Sequence, residues 1–277
     1  MRRNDGAPVT LRGMKITTSR LALAALAALA VPARADLVLT RKTHTDAYTT
    51  PDGEVPAKDG TIVVWVGKDR LRLDDGERVI VVRLDAKKLH VIDPSTKSGS
   101  TVDLPVDLVK LAPPDVSPML AQMAQAMKVT SETTTETRQI QTWNATKSLV
   151  HLGGIADATM TVWVTKDLPI DQGSYVELVG HAMSVRPGGT QIANEMRKLG
   201  GVSVLTERVQ KTGGMTLHSR DELVSAETKD APAGIYDIPA EYAVKPFDAM
   251  EEIVRSMPRR PLPAPAPAPA PPAPAPR

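Results

Sequence analysis

The sequence lacks cysteine altogether and has few aromatic residues, with three Trp, four Tyr and one Phe among 277 residues. Without cysteine the chain forms no disulfide in an oxidising compartment and offers no thiol for attaching a lipid. It also has no P-loop, G-x-G-x-x-G or G-x-S-x-G sequence, so the common nucleotide-binding and serine-hydrolase sites are not indicated. An enzymatic function therefore has no positive support, and the sequence predicts no catalytic residue.

Metal-ligand spacing is missing as well. The five histidines are His44, His90, His151, His181 and His218, and they lie far apart in the chain. Because no H-x-x-x-H or similar pattern brings two of them onto one face, surface or strand-face positions are the simpler interpretation. The sequence thus predicts no metal site and no cofactor.

Residues 1–35 have the organisation of an export signal. Five basic residues precede an uncharged run, rich in Leu and Ala, from Leu21 to Val31, and an A-x-A cleavage sequence ends at Ala35. The run is shorter than the ~20 residues that a membrane-spanning helix needs. We therefore predict a cleaved signal and a periplasmic or secreted protein without a transmembrane anchor. Met14 opens a shorter signal of the same kind, so Met1 and Met14 are both possible starts.

The positive charge of the chain is concentrated in this signal. Residues 1–35 hold six of the 34 Lys and Arg residues and one of the 32 Asp and Glu residues, which leaves a net charge of −3 on the remainder. Proteins that bind the phosphate backbone carry a basic stripe, often with stacking aromatic residues. Neither is evident, so nucleic acid is not expected as a partner.

Period-two alternation dominates from Asp36 to about Leu104. In the segment 61–66, Ile62, Val64 and Val66 alternate with Val63 and Trp65, which indicates a strand covered at least partly on both faces. Short turns separate the strands, and short connections favour antiparallel neighbours. Further strands are predicted at about 129–137, 145–152, 158–164, 202–209 and 215–225.

An amphipathic helix is predicted over residues 118–127. Ser117 is a suitable N-cap, and Pro118 suits the first helical turn. Met119, Met123 and Met127 recur one turn apart, and such a stripe usually packs into a core. The alternative is that the stripe forms an adaptable lid over an apolar cavity.

Two further helices are expected between 175 and 199. Their apolar stripes end at Gly200, a typical residue after a helix C-terminus. The domain organisation predicted from these patterns is a signal peptide over 1–35, a curved antiparallel sheet domain over 36–246, a short terminal helix over 247–258, and a disordered Pro/Ala-rich tail over 259–277.

Three short motifs resemble those of exported domains in the domain-of-unknown-function family 4412. The first is the block 65–74, followed by apolar strands at 79–82 and 89–93. The second is the Trp-bearing strand exit 162–169, and the third is the terminal segment 236–242, in which Glu241 replaces a usual glycine. The likeness spans about residues 36–245.

This resemblance implies a fold similar to that of the LolA/LolB-like lipoprotein carriers. The expected fold class is α+β, mostly β: a single curved antiparallel sheet or unclosed barrel whose concave face is covered by helices. The implied function is non-enzymatic binding of an apolar ligand, such as an acyl chain, lipid or lipoprotein. The alternative is an envelope protein-interaction module with a self-filled core, whose protein partner binds the Pro/Ala tail or a sheet edge.

Five residues are candidates for contact with an apolar ligand. They are Trp65, Met119, Met123, Met127 and Trp163. The methionines would act through the lid, and the two indoles would report on a ligand if they point into the concave face.

Cleavage of the signal is directly testable. Fractionation followed by N-terminal sequencing of the mature protein should find Asp36 as the first residue, because the A-x-A sequence ends at Ala35. An uncleaved product embedded in the membrane would contradict both the signal and the absence of an anchor.

Overall fold

The computed structural model describes residues 35–50, 53–154, 157–212 and 214–256. The predicted signal up to Arg34 and the predicted Pro/Ala tail lie outside these residues. Within them the strands are β1 (Asp36–Thr45), β2 (Tyr48–Thr50), β3 (Gly53–Val55), β4 (Lys58–Val66), β5 (Arg70–Asp74), β6 (Val79–Arg83), β7 (Lys88–Asp93), β8 (Ser98–Asp103), β9 (Lys128–Ile140), β10 (Trp143–Gly153), β11 (Asp157–Thr165), β12 (Val202–Thr212), β13 (Met215–Lys229) and β14 (Ala243–Pro246). The helices are α1 (Leu108–Leu111), α2 (Ser117–Ala126), α3 (Gln172–Met183), α4 (Gly189–Lys198) and α5 (Ala249–Ser256).

Twelve of these strands form one large sheet, and β2 pairs with β3 in a separate small hairpin. The order across the large sheet is β14-β8-β7-β6-β5-β4-β1-β13-β12-β11-β10-β9. Neighbouring strands are antiparallel, except that the edge strand β14 runs parallel to β8. The sheet is curved and unclosed, with β14 and β9 as its two edges.

The concave face of the sheet is covered by α3 and α4, which form a helical hairpin between β11 and β12. α3 packs on β5 and β6, and α4 packs on β9. Leu37 and Leu39 of β1 and Val64 of β4 point to this side and form one apolar cluster with Leu178 of α3. The predicted fold class, a single curved antiparallel sheet with helices on its concave face, is confirmed.

The opposite face of the sheet carries apolar side chains from β4, β6 and β7 and is covered by residues 230–242, which we call the outer strap. Val79, Val81 and Ile92 form a cluster with Tyr236 of the strap, and Trp65 packs against it. Strands that are apolar on both faces need a cover on both sides. The strap supplies the second cover from a part of the chain far away in sequence.

Polar contacts fix the outer strap in place. The Tyr236 hydroxyl donates a hydrogen bond of 2.7 Å to the buried Asp36 carboxylate. The Arg70 guanidinium lies 4.6 Å from the centroid of the Tyr236 ring, and Arg83 pairs with Asp237 at 2.8 Å. Burial, reinforced by the bond to Asp36, raises the pKa of Tyr236 well above its ordinary value, so this phenol remains a donor.

The third packed layer consists of α1, α2 and α5. Ile253 of α5 is buried against Leu120 of α2. Glu252 of α5 forms a buried ion pair with Arg78, the residue before β6. Removing one member of a buried pair leaves an uncompensated charge, so this pair ties α5, and with it α2, to the sheet.

The prediction that Ser117 caps α2 is wrong. Val116 is the N-cap residue and makes no side-chain capping bond. Ser117 is the first helical residue, and its hydroxyl donates to the Val109 carbonyl of α1 at 2.8 Å. The helix thus begins one residue earlier than the sequence pattern predicts, and Ser117 joins α2 to α1 instead of capping α2.

Replacing Tyr236 with Phe should destabilise the fold. The substitution Tyr236→Phe leaves the Asp36 carboxylate buried without its donor, which should cost ~1–3 kcal/mol of unfolding free energy. Urea denaturation of the mature chain measures the loss. Tyr242→Phe is the matched control, because Tyr242 also lies in the strap and its hydroxyl makes no hydrogen bond to any described residue. Equal losses for the two variants would show that the bond to Asp36 does not hold the strap.

Candidate functional site: the cavity between the sheet and the helical hairpin

A cavity of about 340 Å³ lies between the concave face of the sheet and the α3–α4 hairpin. We call it the main cavity. Its walls are mostly apolar and come from both layers. The sheet contributes residues such as Ile62, Leu73 and Met160, and the helices contribute residues such as Val179, Ile192 and Met196.

The periodicity of each element places these side chains. In β4, Ile62 and Val64 are two positions apart and therefore point to the same face. In α3, Val176, Val179 and Met183 recur at intervals of three and four residues, which forms one stripe along the helix. All five side chains line the main cavity. The cavity is thus the space that remains where these two apolar surfaces do not meet.

One wall of the main cavity is polar and is built around Arg41 of β1. Arg41 Nε donates to Oδ1 of Asp221 at 2.7 Å, and Nη1 donates to the backbone carbonyl of Ser203 at 2.7 Å. The Ser203 hydroxyl lies 2.8 Å from the Thr206 hydroxyl. Tyr175 of α3 also belongs to this wall. We call these five residues the polar wall.

Two groups of the polar wall have hydrogen-bonding capacity to spare. Arg41 is 8% exposed, and its Nη2 makes no hydrogen bond to any residue in the described ranges. The Tyr175 hydroxyl likewise makes none within the part of the chain that the structure describes. Burial raises the pKa of Tyr175, so the phenol is neutral and able to donate at neutral pH. The wall therefore presents these two donors, and the one hydroxyl hydrogen that the Ser203–Thr206 pair leaves unused, to an otherwise apolar space.

The ionisable side chains that line the main cavity balance in charge. Arg41 and Arg186 are basic, and Asp75 and Asp221 are acidic. Arg41 is paired directly with Asp221. At neutral pH the lining thus carries no net charge, and its chemistry consists of apolar contact and hydrogen bonding.

A second cavity, of about 390 Å³, lies between α1–α2 and the turn that joins α3 to α4. Leu120 and Met123 of α2 line it, together with Met127, the residue that follows the helix. Arg186 lines both this cavity and the main cavity. No residue of α2 is among the described residues that line the main cavity.

The three candidate methionines have different environments. Met119 is 48% exposed. Met123 and Met127 are half-buried and face the second cavity. The inward side of α2 therefore carries Leu120 and Met123, Met127 follows directly after the helix, and Met119 lies apart from them.

The two candidate tryptophans lie outside both cavities. Trp65 packs with the cluster under the outer strap, on the opposite face from Val64. Trp163 is 2% exposed, and the Arg138 guanidinium lies 4.0 Å from the centroid of its ring. Because the structure does not bring the tryptophans together with the methionines, the five candidates do not form one site.

The polar wall was missed by the sequence-based prediction, although one signal for it was present. In β1, Leu37, Leu39 and Arg41 occupy alternate positions and so share a face. A basic residue at the third inward position of an apolar strand is expensive to bury unless it has a partner. That pattern predicts an acidic partner from elsewhere in the chain, which the structure identifies as Asp221.

Among the described residues, no group of three or more His, Cys, Asp or Glu side chains is arranged to hold a metal ion. None of the helices in those ranges is long and apolar enough to cross a bilayer.

No family model and no curated protein matches the chain. Among solved structures, it is similar to PNGF-II at 15% identity and a TM-score of 0.39, covering 79% of this chain and 33% of that one. It is similar to MucB at 13% identity and a TM-score of 0.32, covering 76% of this chain and 60% of that one. It is also similar to a candidate outer membrane lipoprotein-sorting protein domain from Vibrio parahaemolyticus. The identity is 6% and the TM-score 0.25, and the match covers 72% of this chain and 87% of that one.

The chain therefore spans about a third of the PNGF-II chain and 60% of the MucB chain. All three TM-scores are low, and we rest no functional conclusion on them. The resemblance to family 4412 stays a prediction.

The α3–α4 hairpin closes tightly at Gly189, the first residue of α4. A Cβ at this position would overlap the backbone carbonyl oxygen of Met183, the last residue of α3. A side chain there would force the two helices apart. The close approach at Gly189 thus fixes how α4 lies over the main cavity.

The substitution Gly189→Ala should lower the free energy of unfolding by ~1–3 kcal/mol, because overpacking against a backbone atom cannot be relieved by a rotamer change. Gly173→Ala is the matched control in α3, since its Cβ would lie 3.5 Å from Asp171 Oδ1, an ordinary contact. The control should be neutral or stabilising by up to ~1 kcal/mol. Urea denaturation of both variants tests this, and a change of the same sign and size in the two would contradict the close approach.

Proposed function

We propose that the chain is an exported, non-enzymatic protein that binds one apolar ligand of acyl-chain size in the main cavity. The observation that carries the proposal is the cavity itself, an apolar space between two layers that are otherwise closely packed. Small-molecule sites are typically concave and mostly apolar, with a few polar groups that orient the ligand. The main cavity has each of these properties.

Energetics supports a ligand in this space. An apolar ligand in this space would remove part of its apolar lining from water, which contributes ~25 cal/mol per Å² of apolar area. A domain is stable by only ~5–15 kcal/mol in total. A ligand that binds the folded state alone would therefore add measurably to the stability of the domain.

The volume limits the size of the ligand. Sites for small molecules span ~300–1,000 Å³, and the main cavity, at about 340 Å³, lies at the lower end of that range. It suits one acyl chain or a compact apolar molecule. A ligand with several acyl chains would need the second cavity as well, which Arg186 borders from the other side.

The proposed location follows from the predicted signal, and we propose the periplasm or the exterior of the cell. The alternative function, a protein-interaction module of the envelope, requires a concave face filled by the chain's own side chains. The space between Leu73 and Val179 favours the ligand-binding proposal over this alternative.

Narrowing the main cavity should weaken ligand binding. Val179→Phe adds an aromatic ring to the helical wall, so the affinity for the fluorescent apolar probe N-phenyl-1-naphthylamine should fall by about tenfold or more. Fluorescence titration measures the affinity, and circular dichroism confirms folding. Val254→Phe is the control, because Val254 also lies on a helix, is 59% exposed and lines neither cavity. Absence of probe binding to the wild type, or equal binding by both variants, would overturn the proposal.

A further inference from the structure

We propose that the ligand is a neutral amphiphile with a single chain, whose head group presents an oxygen acceptor such as an ester or amide carbonyl. This inference rests on the proposed function and specifies the ligand of the same cavity. It follows from the juxtaposition of two open donors and a balanced ion pair in the polar wall.

Two hydrogen-bond donors of the polar wall are open to a ligand. Arg41 uses Nε for Asp221 and Nη1 for the Ser203 carbonyl, which leaves Nη2 for another acceptor. Tyr175 adds a hydroxyl from the opposite, helical layer. The pKa of this phenol is raised by burial, so it stays protonated. A carbonyl oxygen has two lone pairs and accepts from two such donors at once.

The charge of the head group is decided by Asp221. Its carboxylate lies 2.7 Å from Arg41 Nε and already balances the guanidinium charge. A ligand carboxylate placed beside Arg41 would add a third charge to this pair in a mostly apolar space and would be repelled by Asp221. An ammonium head would be attracted by Asp221 but repelled by Arg41. A neutral acceptor avoids both costs.

The remaining lining suits the chain of such an amphiphile. Met160 of the sheet and Ile192 and Met196 of α4 continue the cavity with apolar side chains. Methionine is unbranched and polarisable, so it adapts to a flexible hydrocarbon chain. The polar wall and this apolar part together match a molecule with one polar end.

Displacement of N-phenyl-1-naphthylamine from the mature chain tests the inference with two competitors of equal chain length. They are 1-monolauroylglycerol, which is neutral, and laurate, which is ionised at about pH 8. Both are titrated below the concentration at which they form micelles. The neutral ester should displace the probe at a concentration roughly tenfold lower than laurate does. Equal or stronger displacement by laurate would overturn the inference.

The variant Asp221→Asn should change the preference. Without the opposing carboxylate, Arg41 is free to pair with a ligand anion, so the affinity for laurate should rise by about tenfold while that for the ester stays within about threefold. Circular dichroism verifies that the variant is folded. An unchanged ratio of the two affinities in the folded variant would contradict the role of Asp221.

A second variant keeps the inference testable if Asp221→Asn fails to fold. Tyr175→Phe removes one donor and keeps the ring, so the ester should bind at least about threefold more weakly with unchanged affinity for the probe. Unchanged affinity for the ester would overturn the assigned role of Tyr175. Failure of the probe to bind the wild type would instead refute the proposed function, so the two failures are distinguishable.

Discussion

The structure depends on one constraint: the strands β4, β6 and β7 carry apolar side chains on both faces, so the sheet needs a cover on each side. The inner cover is the α3–α4 hairpin, and the outer cover is the strap of residues 230–242. Exposing apolar area to water costs ~25 cal/mol per Å² of free energy, and a domain of ordinary stability would not remain folded with either face exposed. The rest of the architecture arranges these two covers.

The two covers meet the sheet in different ways. The outer strap is fixed by side-chain bonds, including those from Tyr236 to Asp36 and from Arg83 to Asp237. The inner hairpin joins the sheet through apolar packing that is incomplete, and the main cavity remains between them. A fixed outer cover and an incompletely filled inner face fit the proposed function, in which a ligand would complete the packing on the inner side alone.

The layer of α1, α2 and α5 adds a further attachment. Burial, together with the nearby guanidinium groups of Arg186 and Arg255, lowers the pKa of Arg78 to about 10. Arg78 therefore remains charged at neutral pH, and its partner Glu252 compensates it. The α5 helix is thereby held against the sheet beside β6, and α2, which borders the second cavity, is held by α5 through Leu120 and Ile253.

Much of the fold could be predicted from local periodicity, and the site could not. The alternation at 61–66 predicted a strand covered on both faces, and the stripe at 118–127 predicted α2. Periodicity places Trp65 opposite Val64, but it does not say which face becomes concave. Tertiary packing alone decides that Trp65 lies under the outer strap.

Long-range pairs explain the remaining gap between prediction and structure. The partner of Arg41 is 180 residues away in the chain, and the edge strand β14 joins β8 in parallel after the whole strap has crossed the sheet. No short motif encodes such neighbours. The exposure of Met119 also depends on a distant part of the chain, because α5 packs against the side of α2 that carries Leu120 and Met123.

Methyl nuclear magnetic resonance with N-phenyl-1-naphthylamine tests the central claim most directly. The aromatic rings of a bound probe shift the resonances of nearby methyl groups. We expect saturable shifts at Ile62, Leu73 and Met196, which line the main cavity, and none at Val81 or Ile92 on the outer face. Shifts confined to the outer face, or a bound probe that leaves the three cavity methyls unchanged, would contradict the claim that the space between the sheet and the α3–α4 hairpin is the binding site.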